Sequence, residues 1–182
     1  MKKRIFIASV ITLSIFNGVS AQKLTGLTDD FSNAKSTEKL ATFSKDETYR
    51  YVVKEGTLVV KYNTGYDNKW KEVRYPAPNN GTFDLSASST LFSMKVKSTV
   101  AYPVFILFMD ENDKQIDAAY NIKYTADDNW QTMLVKAKSG KDYSKVKYVK
   151  FFINPTAEVA TDGVLFIDDL VIGDGSYKVV QQ

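Results

Sequence analysis

Histidine and cysteine are both absent from the 182 residues, so any chemistry falls to carboxylates, lysines, tyrosines and a few planar groups. The two absences remove Ser-His and Cys-His nucleophilic catalysis together with the usual zinc sites. They also remove disulfides, so an exported domain would rest on its core, or on that core with a bound ion. The most informative pattern lies in Lys69–Tyr75. If this is a strand, alternation sends Val73 and Tyr75 one way and Trp70, Glu72 and Arg74 the other. An indole, a carboxylate and a guanidinium on one face suit a hydroxyl-rich ring. The aromatic plane stacks on the ring's C–H face, and the charged planar groups make paired hydrogen bonds with neighbouring hydroxyls. The plainer alternative puts Trp70 under a loop and makes Glu72 and Arg74 an ordinary cross-strand pair. Asp168 and Asp169 form a second pattern, adjacent in a run of Leu, Phe, Ile and Val. Strict alternation turns one of them inward, where it must be paired, hydrogen-bonded or bound to a cation.

Short runs rich in Val, Ile, Thr, Tyr and Phe, broken by Asn, Asp, Gly, Lys and Ser, position these groups. The pattern predicts strands at Tyr49–Val53, Thr57–Tyr62, Lys69–Tyr75, Leu91–Lys97, Pro103–Met109, Ile116–Tyr124, Trp130–Ala137, Val146–Ile153 and Val164–Ile172. No window of helical length carries a clean apolar stripe. So many short strands in one domain imply an all-β, antiparallel, two-sheet sandwich or a barrel. Leu91–Lys97 has one dry side (Phe92, Met94, Val96) and one wet side (Ser93, Lys95, Lys97). Pro103–Met109 is apolar on both faces, so its second face lies under a loop or in a ligand groove. The same face logic adds Tyr66, Tyr75, Tyr102, Tyr120 and Tyr124 as candidate ring contacts.

The chain begins Met1-Lys2-Lys3-Arg4, then an apolar run to Phe16, Asn17-Gly18 and Val19-Ser20-Ala21. That is a signal-peptide pattern, too short to span a bilayer, with Gln22 as the expected mature start. The expected organisation is a signal peptide at 1–21, a β-sandwich at 22–173 and a polar tail at 174–182. In that tail Tyr177, Val179 and Val180 could extend an edge strand. Lys2, Lys3 and Arg4 carry the whole net charge of +3, and without them 21 basic residues face 21 acidic ones. Nucleic acid is therefore not an expected partner, nor is membrane insertion after signal removal. Asp110-Glu111-Asn112-Asp113-Lys114 lacks the central Gly and closing Glu of an EF-hand and reads as a hairpin turn. Lys145, Lys147 and Lys150 read as guards on an exposed strand.

Several stretches together resemble a known family. Phe83-Asp84-Leu85-Ser86 followed by Leu91–Lys97, Asp128–Val135 around Trp130, and Gly163–Ile172 with its Ile-Asp-Asp core are similar to strands of jelly-roll carbohydrate-binding modules. Asp29-Asp30-Phe31 and Glu55-Gly56-Thr57-Leu58 match the first strands in order and spacing. The resemblance covers nearly the whole mature chain and implies a galactose-binding-like jelly roll. It further implies a structural calcium where first and last strands meet, with oxygens from Asp169, Glu55 and Asp30 beside Asp168 and loop carbonyls near Gly56. The alternative is that Asp169 pairs with a Lys or Arg, or caps a turn. The expected function is that of an exported, non-catalytic module, secreted, periplasmic or at the cell surface. It would bind a poly- or oligosaccharide through Trp70, Glu72, Arg74, Tyr66, Tyr120 and Tyr124. A cell-envelope interaction or structural module is the second expectation. A glycosidase would need two carboxylates about 5 to 9.5 Å apart, and Glu72 with Asp117 is the one pair considered.

Overall fold

The computed structural model describes residues 23–32, 49–62, 72–153 and 163–178. The segment assigned to a signal peptide, together with Tyr66 and Trp70, lies outside the described residues. Eleven strands account for most of the rest: β1 (Gly26–Asp29), β2 (Tyr49–Lys54), β3 (Thr57–Tyr62), β4 (Glu72–Pro76), β5 (Thr90–Lys97), β6 (Val104–Met109), β7 (Gln115–Ile122), β8 (Gln131–Lys136), β9 (Tyr148–Ile153), β10 (Gly163–Gly173) and β11 (Tyr177–Lys178).

The eleven-residue β10 is the spine of the larger sheet. Its first half pairs with β3, which pairs with β2, and its last four residues pair with β1. Along its other edge lies β5, followed by β8. All these pairings are antiparallel; β11 adds a short parallel contact to β1. A second antiparallel sheet runs β4-β9-β6-β7. The two sheets stack as a β-sandwich, with Phe92 of one meeting Phe151 of the other at 6.2 Å between ring centres. Leu58, Leu91, Met94, Ile106 and Phe108 fill the same interlayer core. The wet and dry sides of β5 fall as alternation requires, with Phe92, Met94 and Val96 fully buried.

Two local irregularities matter for the chemistry. The β2–β3 turn is Glu55-Gly56, both at positive φ (51° and 73°), the backbone that a two-residue hairpin needs and Gly adopts freely. In β10, three steps from Asp168 to Val171 oppose only two from Lys95 to Ser93, and Asp169 sits at φ 45°. This is a β-bulge, and it breaks alternation. Ile167 and Leu170, three apart, are both fully buried, while Asp168 is half-buried and Asp169 exposed. The inward carboxylate expected from alternation is therefore corrected: the extra residue keeps both side chains out of the core. The basic strand is corrected as well. Lys150 lies on β9, which has β4 on one side and β6 on the other, so it guards no edge.

Candidate functional site

Val73 and Tyr75 of β4 point into the core, which leaves Glu72 and Arg74 on the outer face of the four-stranded sheet. Register then lines up three cross-strand rows on that face. They are Glu72–Phe152–Phe105, Arg74–Lys150–Leu107 and Pro76–Tyr148–Met109. Glu72 is the hub. Its Oε1 accepts from Arg74 Nε at 2.8 Å and also from Arg74 Nη2, and its Oε2 accepts from Lys150 Nζ at 2.9 Å. Burial pushes the Glu72 carboxyl up, but the bonds and charges of Lys150 and Arg74 outweigh it and hold the group below its ordinary value. The ring of Tyr148 lies 4.3 Å beneath the Arg74 guanidinium, and Phe152 lies 5.4 Å from Lys150 Nζ. Burial also raises the Tyr148 hydroxyl, as does its bond to Asp113. At the opposite edge Tyr120, 54% exposed, meets Phe105 edge-on at 5.1 Å.

The face thus has a closed aromatic floor of Tyr148, Phe152 and Phe105, each less than 8% exposed, with two cations and one carboxylate above it. Arg74 keeps 31% of its side chain in water and Tyr120 more than half. Chemically this arrangement can hold planar and charged groups rigidly and offer donors to hydroxyls. Asp117 lies on the far edge strand, at least three spacings or about 14 Å from Glu72, in the row of Phe108 and Tyr75, which faces the core. There it is 4% exposed and bonded to Lys138 Nζ (2.7 Å) and to the Tyr143 hydroxyl (2.8 Å). The Glu72–Asp117 pair is therefore corrected.

Other expected residues fall elsewhere. Tyr124 is corrected from ligand contact to internal brace: it is 8% exposed, accepts from Tyr102 N and donates to Val100 O at 2.9 Å. Tyr75 and Tyr102 are also buried in the core. Around the bulge, Asp169 pairs with Lys95 at 2.6 Å, the plainer of its two expected roles. Burial raises the Asp168 carboxyl, and the charges of Asp169 and Asp30 add to that. Asp30 Oδ1 accepts from Ser32 N, and Glu55 sits exposed in its hairpin turn. Among the described residues no three acidic side chains are grouped to hold a metal ion. Tyr148 and Phe152 escaped sequence reasoning, and Lys150 was read there as an edge guard, because their place on this face depends on which strand pairs with β4.

Comparison with known proteins agrees with this architecture. No protein-family model matches the chain, and no curated protein matches it in sequence. Among solved structures, a family 11 module of a cellulosomal cellulase of Clostridium thermocellum aligns at 16% identity and a TM-score of 0.50, covering 79% of this chain and 91% of that one. The chain has the β-sandwich of carbohydrate-binding modules. An agarase aligns at 13% identity and a TM-score of 0.58, over 82% of this chain but 25% of its own. A family 4 module aligns at 18% identity and a TM-score of 0.48, covering 84% and 89%. At such identities the likeness is one of fold. No helix of the described residues is long and apolar enough to cross a membrane.

Proposed function

We propose that this protein is an exported, non-catalytic carbohydrate-binding module, secreted, periplasmic or held at the cell surface. It takes a poly- or oligosaccharide across the outer face of the four-stranded sheet. One observation carries the reading: Glu72, bonded to both Arg74 and Lys150, fixes two cations over an aromatic floor while Arg74 and Tyr120 remain open to solvent. Groups held this way lose little freedom on binding, which favours a weakly interacting, hydroxyl-rich ligand. Trp70 and Tyr66 are proposed as further ring contacts on sequence grounds.

The test is binding of the full chain to cello-, manno- and agaro-hexaose by calorimetry, beside Arg74→Ala and Tyr120→Ala. Binding that either substitution weakens about tenfold, with the fold retained, supports the site. A well-folded protein that binds none of these, nor any member of a wider glycan panel, refutes it. The second reading, an envelope interaction module, draws on Val52, Trp130 and Leu134, which are 51%, 43% and 47% exposed. A structural calcium is proposed beside Asp30 and Asp168, where a cation would offset the repulsion between the two carboxylates. A higher melting temperature in calcium than in chelator, lost in Asp168→Asn, supports the ion; equal melting counts against it.

A further inference from the structure

Four chain segments far apart in sequence meet at the end of the sandwich where β1 begins and β10 finishes. They enclose an open groove of about 860 Å³, within the size range of small-ligand sites. The groove is braced rather than loose. Asp84 N donates to Leu24 O at 2.8 Å, and Phe83 and Val146 exchange backbone hydrogen bonds. Thr25 Oγ1 bonds to Asp174 and lies 3.1 Å from Ser176 Oγ, which fastens the last segment to the first.

Its lining carries both apolar and polar groups. Tyr177, 37% exposed, Pro78 and Leu24 supply apolar surface. Asn79 and Thr82 supply polar groups, and their side chains bond to no other described residue. Asn79 is held at φ 56° in the Pro78–Asn80 turn, a backbone that Asn tolerates and that fixes where its amide is presented. Of the charges on the lining, Lys23 Nζ lies 2.7 Å from Asp84, and the exposed Lys145 Nζ stands 3.9 Å from Glu111. A tyrosine ring beside amide and hydroxyl groups that bond to no other described residue matches a ligand that has an apolar face and several hydroxyls.

We propose that this groove is a second saccharide site, separate from the outer face of the four-stranded sheet. One sugar unit would stack on Tyr177 and hydrogen-bond to Asn79 and Thr82. Its occupant is a sugar unit of the same or another chain, so the protein would hold glycan at two places.

The experiment is an amide NMR titration of the full chain with the three hexaoses, repeated on Tyr177→Ala, Asn79→Gly and Arg74→Ala. Asn79→Gly keeps the positive φ while removing the amide. Shifts around residues 78–84 and 176–177 that persist in Arg74→Ala, with affinity falling roughly tenfold in Tyr177→Ala or Asn79→Gly, establish the second site. Shifts confined to the sheet face overturn the groove and leave the first site standing. Shifts at the groove that Tyr177→Ala and Asn79→Gly leave unchanged overturn the assigned contacts. No shifts with any hexaose, nor with any member of the wider glycan panel, overturn both sites.

Discussion

Replacing Glu72 by Gln keeps the shape of the side chain but removes the charge that Arg74 and Lys150 share. Glu72→Gln leaves one oxygen where two accepted from Arg74 and Lys150. One cation then faces an amide N–H instead of an acceptor, and the surviving bonds lose their anionic partner, each about 1 kcal/mol weaker. It also leaves Arg74 and Lys150, directly opposite on paired strands, as unrelieved like charges. Against this, the Arg74 side chain is 31% exposed, and those of Glu72 and Lys150 are 16% exposed each, so water screens part of the effect. The expected loss is about 2 kcal/mol, or roughly 4–8 °C in melting temperature for a domain of this size. Urea unfolding measures it directly. Lys150→Met supplies the second arm of a double-mutant cycle, and in the Glu72→Gln background it should recover part of the loss by removing the repulsion. The pH dependence has a definite sign. Because the folded carboxyl lies below its ordinary 4.5, the unfolded chain takes up this proton first as pH falls. The stabilisation is whole above 4.5 and is lost as pH drops through the folded value. A loss under about 0.5 kcal/mol with strictly additive cycle arms would show these to be solvated surface charges and refute the hub.

Three further outcomes are expected. Asp117→Asn should cost about 2 kcal/mol in urea unfolding, because the buried Tyr143 hydroxyl and Lys138 lose a charged acceptor. Tyr143→Phe should then add little in that background. The Asp84 carboxyl, held down to about 2 by its hydrogen bond from Lys23 and then by Ser86, should titrate near that value by carbon NMR. Lys23→Ala should move its midpoint back toward 3.8, and no movement would reject the cause. Gly26→Ala should destabilise by about 2 kcal/mol or more, since a Cβ there would stand 2.3 Å from Ile172 O and the backbone must yield. Unchanged melting would show that the β1–β10 contact is looser than it stands.

Local pattern was enough for the strands. Tyr49–Val53, Thr57–Tyr62 and Leu91–Lys97 each lie within a residue of the observed element, and Val73 and Tyr75 face the core as their spacing implies. These features depend on period-two alternation, which a short window contains in full. The four-residue β1 was missed as a strand of its own, because Gly26–Asp29 has one strong apolar side chain and takes its order from β10. Tyr120 and Tyr124 look alike in sequence, yet one stays in water and the other bonds within the interior. A bulge that includes Asn121 at φ 53° separates them, and no alternation rule foresees it.

The candidate site divides along the same line. The side of β4 that carries Glu72 and Arg74 was legible from residue spacing. That Lys150 completes their network, that Tyr148 and Phe152 form the floor, and that Asp117 is out of reach were decided by strand order in the sheet. Likewise Asp168 and Asp169 were visible as a pair, but the bulge opposite Lys95 put both outside the core and gave Asp169 its partner. Alternation is a property of neighbours along the chain. Which strands lie side by side depends on closing loops of many residues around a shared core, and that free energy belongs to the whole domain.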